Sequence, residues 1–365
     1  MEYELRRYLN KLAATSKGLP PDLLSLSQAQ ISQRSRMERE AYALLSIQEA
    51  RHLCRYVDVP FHEIERCINA PRYNEIRLKK ANGKGKRLLQ EPSMSLKKIQ
   101  RKLSVGLGAV YALIRPEQVH GFVRSSKDER IGIVSNARAH IEGKFVLNMD
   151  LKDFFHGVSA KKVKEVLRSE LFLFDDHLSA VIALLLTYQG RLPQGASSSP
   201  VLSNLVCIPL DEQLRILSIE RGWTYTRYAD DLTFSGTLPF SDEDLIVLRK
   251  VVEEQGFQVN HRKTRRKGIG RKQKVTGLVV NTKINVDRKL IRQVRAMLHD
   301  ARMNGLNAAA FRHFKNAVSD PESKYLNRLQ GYISFIGMVR GKEDFLFVRQ
   351  KAELKDIINN TSSSK

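Results

Sequence analysis

Residues 223–236 read WTYTRYADDLTFSG, and residues 148–155 read NMDLKDFF. In the first stretch, β-branched and aromatic residues flank Asp230-Asp231, the pattern of a strand, a tight turn and a second strand. Around the second, the run KFVLNMDL from Lys144 reads as a buried strand ending in Asp150, with Asp153 just beyond. A strand that ends in Asp beside a hairpin whose turn carries two more gathers carboxylates at one point, although Asp150 and Asp230 are far apart in the chain. Clustered carboxylates repel one another and call for cations. Mg²⁺, a hard ion that takes oxygen ligands and favours substrate phosphates, suits them. Two such ions activate an attacking hydroxyl and stabilise a leaving pyrophosphate, a route to phosphoryl transfer that predicts a polymerase.

Taken alone, Asp-Asp in a turn is explained as readily by the hydrogen bonds with which Asp stabilises turns. The surroundings favour chemistry. Between the two acidic segments lies LPQGASSSP, Leu192 to Pro200. Its small residues let a nucleotide or backbone approach closely, and Gln194 offers hydrogen bonds to sugar or phosphate. The apolar VLSNLV that follows reads as a buried helix whose N-terminus faces the site, a better account than a Ser/Gly-rich surface loop.

Composition agrees with a polyanionic partner. The 365 residues include 62 Lys and Arg against 39 Asp and Glu, a net charge of +23, and 42% are hydrophobic. That apolar share supplies a sizeable core and excludes wholesale disorder. Such an excess of positive charge repels itself unless a polyanion neutralises it, so nucleic acid is the leading partner and an anionic membrane the second. Cys54, Cys67 and Cys207 form no CxxC and have no His at zinc-site spacing, which argues against disulfides and zinc and fits a reducing cytoplasm. The start, MEYELRRYLN, lacks the pattern of a signal peptide, and the longest apolar stretch, near Val181 to Leu186, is too short to span a bilayer. A soluble protein that is not exported is expected, with nucleic acid rather than a membrane as its partner.

Residues 1 to about 70 read as helical, with one helix from Met37 to Arg55 and punctuation at Pro20-Pro21 and Pro60. IRLKK, the tight turn Asn82-Gly83-Lys84-Gly85 and KRLLQEP make a basic β-hairpin, followed by a helix from near Ser95. Ala160 to Leu173, Val286 to Met303 and Ser323 to Val339 are further helices, and the tail TSSSK frays. His261 to Lys274, HRKTRRKGIGRKQK, reads by itself as a solvated basic loop, and in so basic a chain as one that meets phosphate.

NMDLKDFF, LPQGASSSP, YADD and GFQVNHRKT resemble, in order and spacing, the palm motifs of reverse transcriptases. RLKKANGKGKRLLQEPSMSLKKIQ resembles the fingers segment that precedes them, so the likeness covers roughly residues 70 to 340. Asn136-Ala137-x-x-His140 and Val275-Thr276-Gly277 are similar to the NAxxH and VTG elements of bacterial retron reverse transcriptases. The resemblance implies an α+β, right-hand polymerase with an N-terminal helical extension (1–70) and fingers (71–135). A palm with an antiparallel sheet (136–285, the stretch around 160–190 lent by the fingers) and a helical thumb with the C-terminal tail (286–365) complete it.

It also implies roles. Asp150, Asp230 and Asp231 become the catalytic metal ligands, with the Leu151 carbonyl a further ligand; two Mg²⁺ ions, replaceable by Mn²⁺, become the cofactors. Asp153 matches no catalytic position and reads as structural. Phe155 falls at the steric gate, where a ring that clashes with a ribose 2′-hydroxyl selects deoxynucleotides, although an ordinary core Phe is the plainer reading, as for Phe154. Arg87 and either Lys79 or Lys80 clamp the incoming triphosphate. Gln194 and Gly195 line its pocket, and Lys263 neutralises or protonates the pyrophosphate, unless it merely tethers phosphate. Asn136, His140, Val275, Thr276 and Gly277 contact structured RNA, against the plainer reading of His140 as a satisfied core residue. His120-Gly121-Phe122 shapes either the template path or the core. Arg288, Lys289, Arg292, Arg295, Arg302, Arg312 and Lys315 coat the thumb with charge for RNA.

Retron kinship further implies a nucleotidyltransferase that binds the non-coding RNA of its own locus (msr-msd) and primes from a guanosine 2′-hydroxyl. It would copy part of that RNA from deoxynucleoside triphosphates into branched multicopy single-stranded DNA (msDNA). With too few residues after the thumb for an RNase H domain, removal of copied RNA falls to host RNase H. The family's setting is anti-phage defence with a separate effector protein. Alternatives are a group II intron-like or diversity-generating reverse transcriptase, a protein that acts mainly as an RNA–DNA scaffold sequestering an effector, or a simple basic RNA-binding module.

Overall fold

A computed structural model describes residues 27–79, 85–125, 129–314 and 319–363. Residues 1–26 with Pro20-Pro21, Lys80, most of the Asn82–Gly85 turn and Lys315 lie outside the described residues. The chain divides into two compact units: Met1–Gly132, Leu147–Phe234 and Phe240–Arg266 form one, and Ile133–Val146, Ser235–Pro239 and Lys267–Lys365 the other.

Among the described residues, the first unit begins with four short helices, α1 (Gln28–Ser32), α2 (Arg36–Leu45), α3 (Ala50–Val57) and α4 (Phe61–Asn69). The helix expected from Met37 to Arg55 is two. Ser46 caps α2, its Oγ donating to Tyr42 O at 2.7 Å, and the turn that follows buries Ile47. At the start of α2, Ser35 and Glu38 form a reciprocal capping box. Strands β1 (Tyr73–Lys79) and β2 (Lys86–Pro92) form the expected antiparallel hairpin. It leads into α5 (Met94–Ile114), whose Leu96, Ile99, Leu103, Leu107 and Val110 are buried at helical spacing.

The helix α6 (Ile133–Arg138) and strand β3 (Phe145–Asp150) come next, then α7 (Ala160–Arg168) and α8 (Asp176–Leu186). Helix α7 stops short of Leu173: Ser169 Oγ donates back to Val166 O at 2.6 Å and Leu173 takes a left-handed φ of 53°. The turn lets Phe172 and Phe174 bury with their ring centroids 5.7 Å apart. Helix α9 (Ser199–Val206) is the buried helix expected of VLSNLV, and α10 (Ile208–Glu220) continues from it. Strands β4 (Thr224–Tyr228) and β5 (Asp231–Gly236), helix α11 (Asp242–Glu254) and strand β6 (Arg265–Lys267) follow. The sheet order is β4-β5-β3-β6, so the strand ending in Asp150 lies beside the hairpin strand that starts with Asp231. A connection as short as that between β4 and β5 makes the pair antiparallel.

In the second unit, the small antiparallel pair β7 (Lys274–Val275) and β8 (Leu278–Val279) precedes four helices. These are α12 (Arg288–Asn304), α13 (Leu306–Phe314), α14 (Pro321–Arg340) and α15 (Phe345–Ser363). On α12, Val294, Met297, Leu298 and Ala301 enter the core, where they meet Leu329, Ile333 and Ile336 of α14, and Tyr325 donates its hydroxyl to Met297 O at 2.9 Å. Arg288, Arg292 and Arg295 take the opposite, exposed face. Close packing extends to Gly337, where an added Cβ would lie 2.5 Å from the Phe347 ring. No helix among the described residues is long and apolar enough to cross a membrane.

Candidate active site

Three backbone segments are tied together at the end of β3. Leu151 N donates to Asp230 O at 2.8 Å, Asn260 N donates to Asp150 O at 2.7 Å, and Leu151 bridges antiparallel to Val259. These bonds bring the NMDLKDFF, YADD and GFQVN segments to one place. Ala229 takes a left-handed φ of 57°, a conformation that costs a non-glycine residue about 1–2 kcal/mol and that its surroundings must enforce.

Those surroundings include a buried ion pair that sequence reasoning missed. Arg227 has no exposed surface; its Nε and Nη2 donate to the Oδ1 and Oδ2 of Asp211, each at 2.7 Å. Its Nη1 donates to Asn204 Oδ1 at 2.9 Å and to Ala229 O at 3.2 Å, and Tyr225 OH donates to Asp211 Oδ1 at 2.8 Å. Burial works against the guanidinium charge, and the Asp211 carboxylate outweighs it, so Arg227 stays ionised. The guanidinium thus joins α9, α10 and the carbonyl just before Asp230. The only sequence signal was an Arg sharing strand parity with Tyr225 in an otherwise uncharged strand.

The segment His120-Gly121-Phe122 belongs to the wall of this site. His120 N donates to Arg227 O at 2.9 Å, Asn204 Nδ2 donates to Gly121 O at 3.0 Å, and a Cβ on Gly121 would lie 2.3 Å from Ala229 N. Phe122 then places its ring 5.9 Å from that of Phe155. Phe155 is half-buried and also faces Phe154 at 5.6 Å, whereas Phe154 is buried against Phe257, as a core residue. Asp153 is exposed, with φ 48°, and its carbonyl accepts from Gly157 N.

Electrostatically the carboxylates sense one another. Asp230 is raised above the ordinary carboxylate range, by burial first and then by the charge of Asp150, with Lys263 and Arg87 pulling the other way. Asp231 is pushed up to about 6, by loss of solvation and then by Asp230 and Asp150. Lys263 Nζ lies 2.5 Å from Asp150 Oδ1. With a lysine seated on one carboxylate, no group of three His, Cys, Asp or Glu side chains among the described residues is closed up to hold an ion. The donor set nevertheless fits a divalent cation, since its members are all carboxylates whose mutual repulsion such a charge would relieve.

The expected nucleotide pocket is partly assembled. Gln90 N donates to Gln194 O at 2.7 Å, which docks β2 on the LPQG segment, and Gly195, at φ 137°, lies where a Cβ would be 2.9 Å from Gln90 O. Arg87 is exposed, and its charge is felt at Asp230. Lys79 does not join it: Lys79 pairs across the hairpin with Lys86, and Arg87 with Leu78, so the two cations stand on opposite faces.

The RNA-contact residues divide sharply by exposure. Asn136, His140 and Val275 are fully buried and offer RNA no surface, a correction to their expected role. His140 Nδ1 shares a hydrogen bond of 2.7 Å with Ser235 Oγ, and Thr276 Oγ1 donates to Ile133 O at 3.0 Å. The NAxxH and VTG elements therefore pack α6 against the β7–β8 pair. Gly277, at φ 84°, is exposed, as are Arg288, Arg292 and Arg295.

Comparison with known proteins agrees with this arrangement. Residues 78–280 match the reverse transcriptase (RNA-dependent DNA polymerase) family, whose members use divalent metal ions. The retron Mx65 reverse transcriptase of Myxococcus xanthus is 37% identical over 250 residues, 61% of this chain and 55% of that protein. The retron Mx162 reverse transcriptase of the same organism is 33% identical over 305 residues, 74% and 58%. The chain thus spans little more than half the length of these two relatives. The retron Ec86 reverse transcriptase of Escherichia coli is 32% identical over 272 residues, 72% of this chain and 81% of that protein. A family match over more than half of the chain, and a relative of this identity covered over most of its length, place the chain among the retron reverse transcriptases, α+β proteins of the right-hand polymerase fold.

Proposed function

We propose that the chain is an RNA-directed DNA polymerase whose catalytic carboxylates are Asp150, Asp230 and Asp231. The observation that carries this is the convergence of the β3 end and the YADD turn, with Lys263 on Asp150 and the charge of Arg87 felt at Asp230. In this reading residues 71–135 are fingers, 136–285 palm, with the stretch around 160–190 lent by the fingers, and 286–365 thumb and tail. The three carboxylates, with the Leu151 carbonyl, hold two Mg²⁺ ions, which Mn²⁺ can replace. Held there, such ions would supply Lewis-acid activation of a hydroxyl and neutralisation of pyrophosphate charge. Arg87 binds the triphosphate, Phe155 excludes the ribose 2′-hydroxyl, and Gln194 and Gly195 seat the nucleotide. Lys263, released from Asp150, stabilises or protonates the pyrophosphate.

The substrate follows from kinship: the structured msr-msd RNA of the same locus as template and guanosine 2′-hydroxyl primer, yielding branched msDNA. Host RNase H removes the copied RNA, and the complex acts in anti-phage defence with a separate effector in the cytoplasm. Arg288, Arg292 and Arg295 on α12 supply an exposed basic face for the RNA backbone. To test this, the chain is expressed with its native upstream non-coding region and the small DNA that accumulates is sequenced, with Asp230→Asn/Asp231→Asn as control. Branched, RNA-linked DNA in the wild type and none in the variant is the expected result. Its absence from both, in a protein that still extends annealed primers, would retain the polymerase and discard the retron substrate.

A further inference from the structure

We propose that the two faces of the β1–β2 hairpin bind different partners: the face carrying Arg77, Lys79 and Lys86 grips the RNA phosphate backbone, and the reverse face, which carries Arg87, serves the incoming nucleotide. The inference rests on the polymerase reading and refines it, because it removes Lys79 from the triphosphate site.

The division follows from register. Residues directly opposite in an antiparallel pair share a face, and faces alternate along each strand. The pairs Glu75↔Gln90, Arg77↔Leu88 and Lys79↔Lys86 therefore lie on one face, and Ile76↔Leu89 and Leu78↔Arg87 on the other. Gln90 Nε2 donates to Glu75 Oε1 at 3.0 Å, as side chains on a common face can. The root of the hairpin is held in place: the ring of Tyr73 lies 4.2 Å from that of Tyr188, and Gln100 Nε2 donates to Tyr73 OH at 2.8 Å.

The first face carries three cations against one carboxylate. Arg77, Lys79 and Lys86 are exposed, and none makes a hydrogen bond or ion pair with a described residue. Lys79 stands directly across from Lys86, and Arg77 is two residues along the same face. Like charges directly opposite destabilise a hairpin, so this arrangement is costly until a polyanion lies across it. The only carboxylate on this face, Glu75, is engaged by the Gln90 amide. The reverse face carries exposed Ile76 and Leu78 around Arg87, the one cation among the described residues of that face, whose charge is felt at Asp230. Three unpaired cations on a short ribbon suit repeated phosphates; one cation among apolar side chains suits a single triphosphate and its base.

The test separates the two faces. The full-length chain is prepared as wild type, Arg77→Gln/Lys79→Gln/Lys86→Gln, Lys79→Gln and Arg87→Gln. A labelled, unstructured oligouridine RNA is titrated by fluorescence anisotropy over a range of salt. The deoxynucleotide KM is measured on a pre-annealed primer–template at saturating concentration. Thermal midpoints show that each variant folds. Losing three phosphate contacts should weaken RNA binding about 10- to 100-fold at moderate salt and flatten the slope of log K against log salt by about 2. The triple variant should leave the nucleotide KM unchanged, and Arg87→Gln should raise that KM without moving the RNA affinity. An unchanged RNA affinity and slope in the triple variant would overturn the proposal, and so would a rise in nucleotide KM for Lys79→Gln equal to that for Arg87→Gln. Wild type that fails to extend any primer would instead count against the polymerase reading, with the RNA titration still deciding the basic face.

Discussion

Substituting Asp211→Asn strikes the part of the site that holds the YADD turn without touching Asp150, Asp230 or Asp231. Arg227 and Asp211 both have side chains with no exposed surface, and two bonds of 2.7 Å join them. Asn keeps the shape and one acceptor oxygen but leaves the guanidinium charge buried without a counter-charge. Breaking such a pair from one side costs about 3–5 kcal/mol, a large share of the 5–15 kcal/mol that stabilises most native proteins. Removing both charges in Asp211→Leu/Arg227→Met should return stability to within about 1–2 kcal/mol of wild type, because apolar residues replace buried pairs at little cost. Activity should not return with it. Ala229 O and Asn204 Oδ1 lose the donor that pins the turn before Asp230. Urea denaturation of the wild type, Asp211→Asn and the double variant, paired with primer extension, reads both effects. A single variant that loses less than about 1 kcal/mol, or a double variant as unstable as the single, would show that the buried pair does not hold the turn.

Three further outcomes follow from the geometry. Phe155→Val should open the space beside Phe122 and Phe154 and raise ribonucleotide incorporation relative to deoxynucleotide by about 10- to 100-fold, read by competitive single-nucleotide extension; an unchanged ratio would remove Phe155 from the gate. Gly195→Ala forces a Cβ to within 2.9 Å of Gln90 O at a φ of 137°, and should cost about 1–3 kcal/mol and raise the nucleotide KM; a variant normal on both counts would contradict the tight docking of β2. Asp287 caps α12 and is held below the usual carboxylate range by Lys274, by Lys289 N and by Lys272. Because its folded pKa is depressed, its contribution is present above the unfolded value near 4 and disappears as pH falls through the lower folded value. Asp287→Asn should therefore cost about 1 kcal/mol at pH 7, and the gap from wild type should shrink steadily below about pH 4 in acid-dependent urea melts; a gap independent of pH would contradict the assignment.

Local patterns were legible in the sequence where one element carried the information. Strand, turn and strand around Asp230-Asp231, and the apolar stripe of α12 through Val294, Leu298 and Ala301, are written in consecutive residues. The break after Ser46 was hidden because no Pro or Gly marks it; a serine hydroxyl bonding back to Tyr42, and the burial of Ile47, end the helix instead. The pair of Asp211 and Arg227 needs α10 packed on β4, a tertiary fact that no local pattern contains. Asn136 and His140 misled for a related reason: a polar signature suggests a surface, whereas here His140 bonds to Ser235 in the interior and the Asn136 amide is buried with no hydrogen-bond partner among the described residues. On the hairpin, the Gly-rich turn concealed the register, and with it the separation of Lys79 from Arg87 onto opposite faces.

Polymerisation at Asp150, Asp230 and Asp231 requires extension of a primer that depends on both Mg²⁺ and these carboxylates. Its most direct test gives the purified chain a DNA primer annealed to an RNA template, with deoxynucleotides, in the presence and absence of Mg²⁺, beside Asp230→Asn/Asp231→Asn of matched folding stability. Mg²⁺-dependent extension by the wild type and none by the variant is the predicted result; extension by both proteins alike, or by neither, would contradict the account.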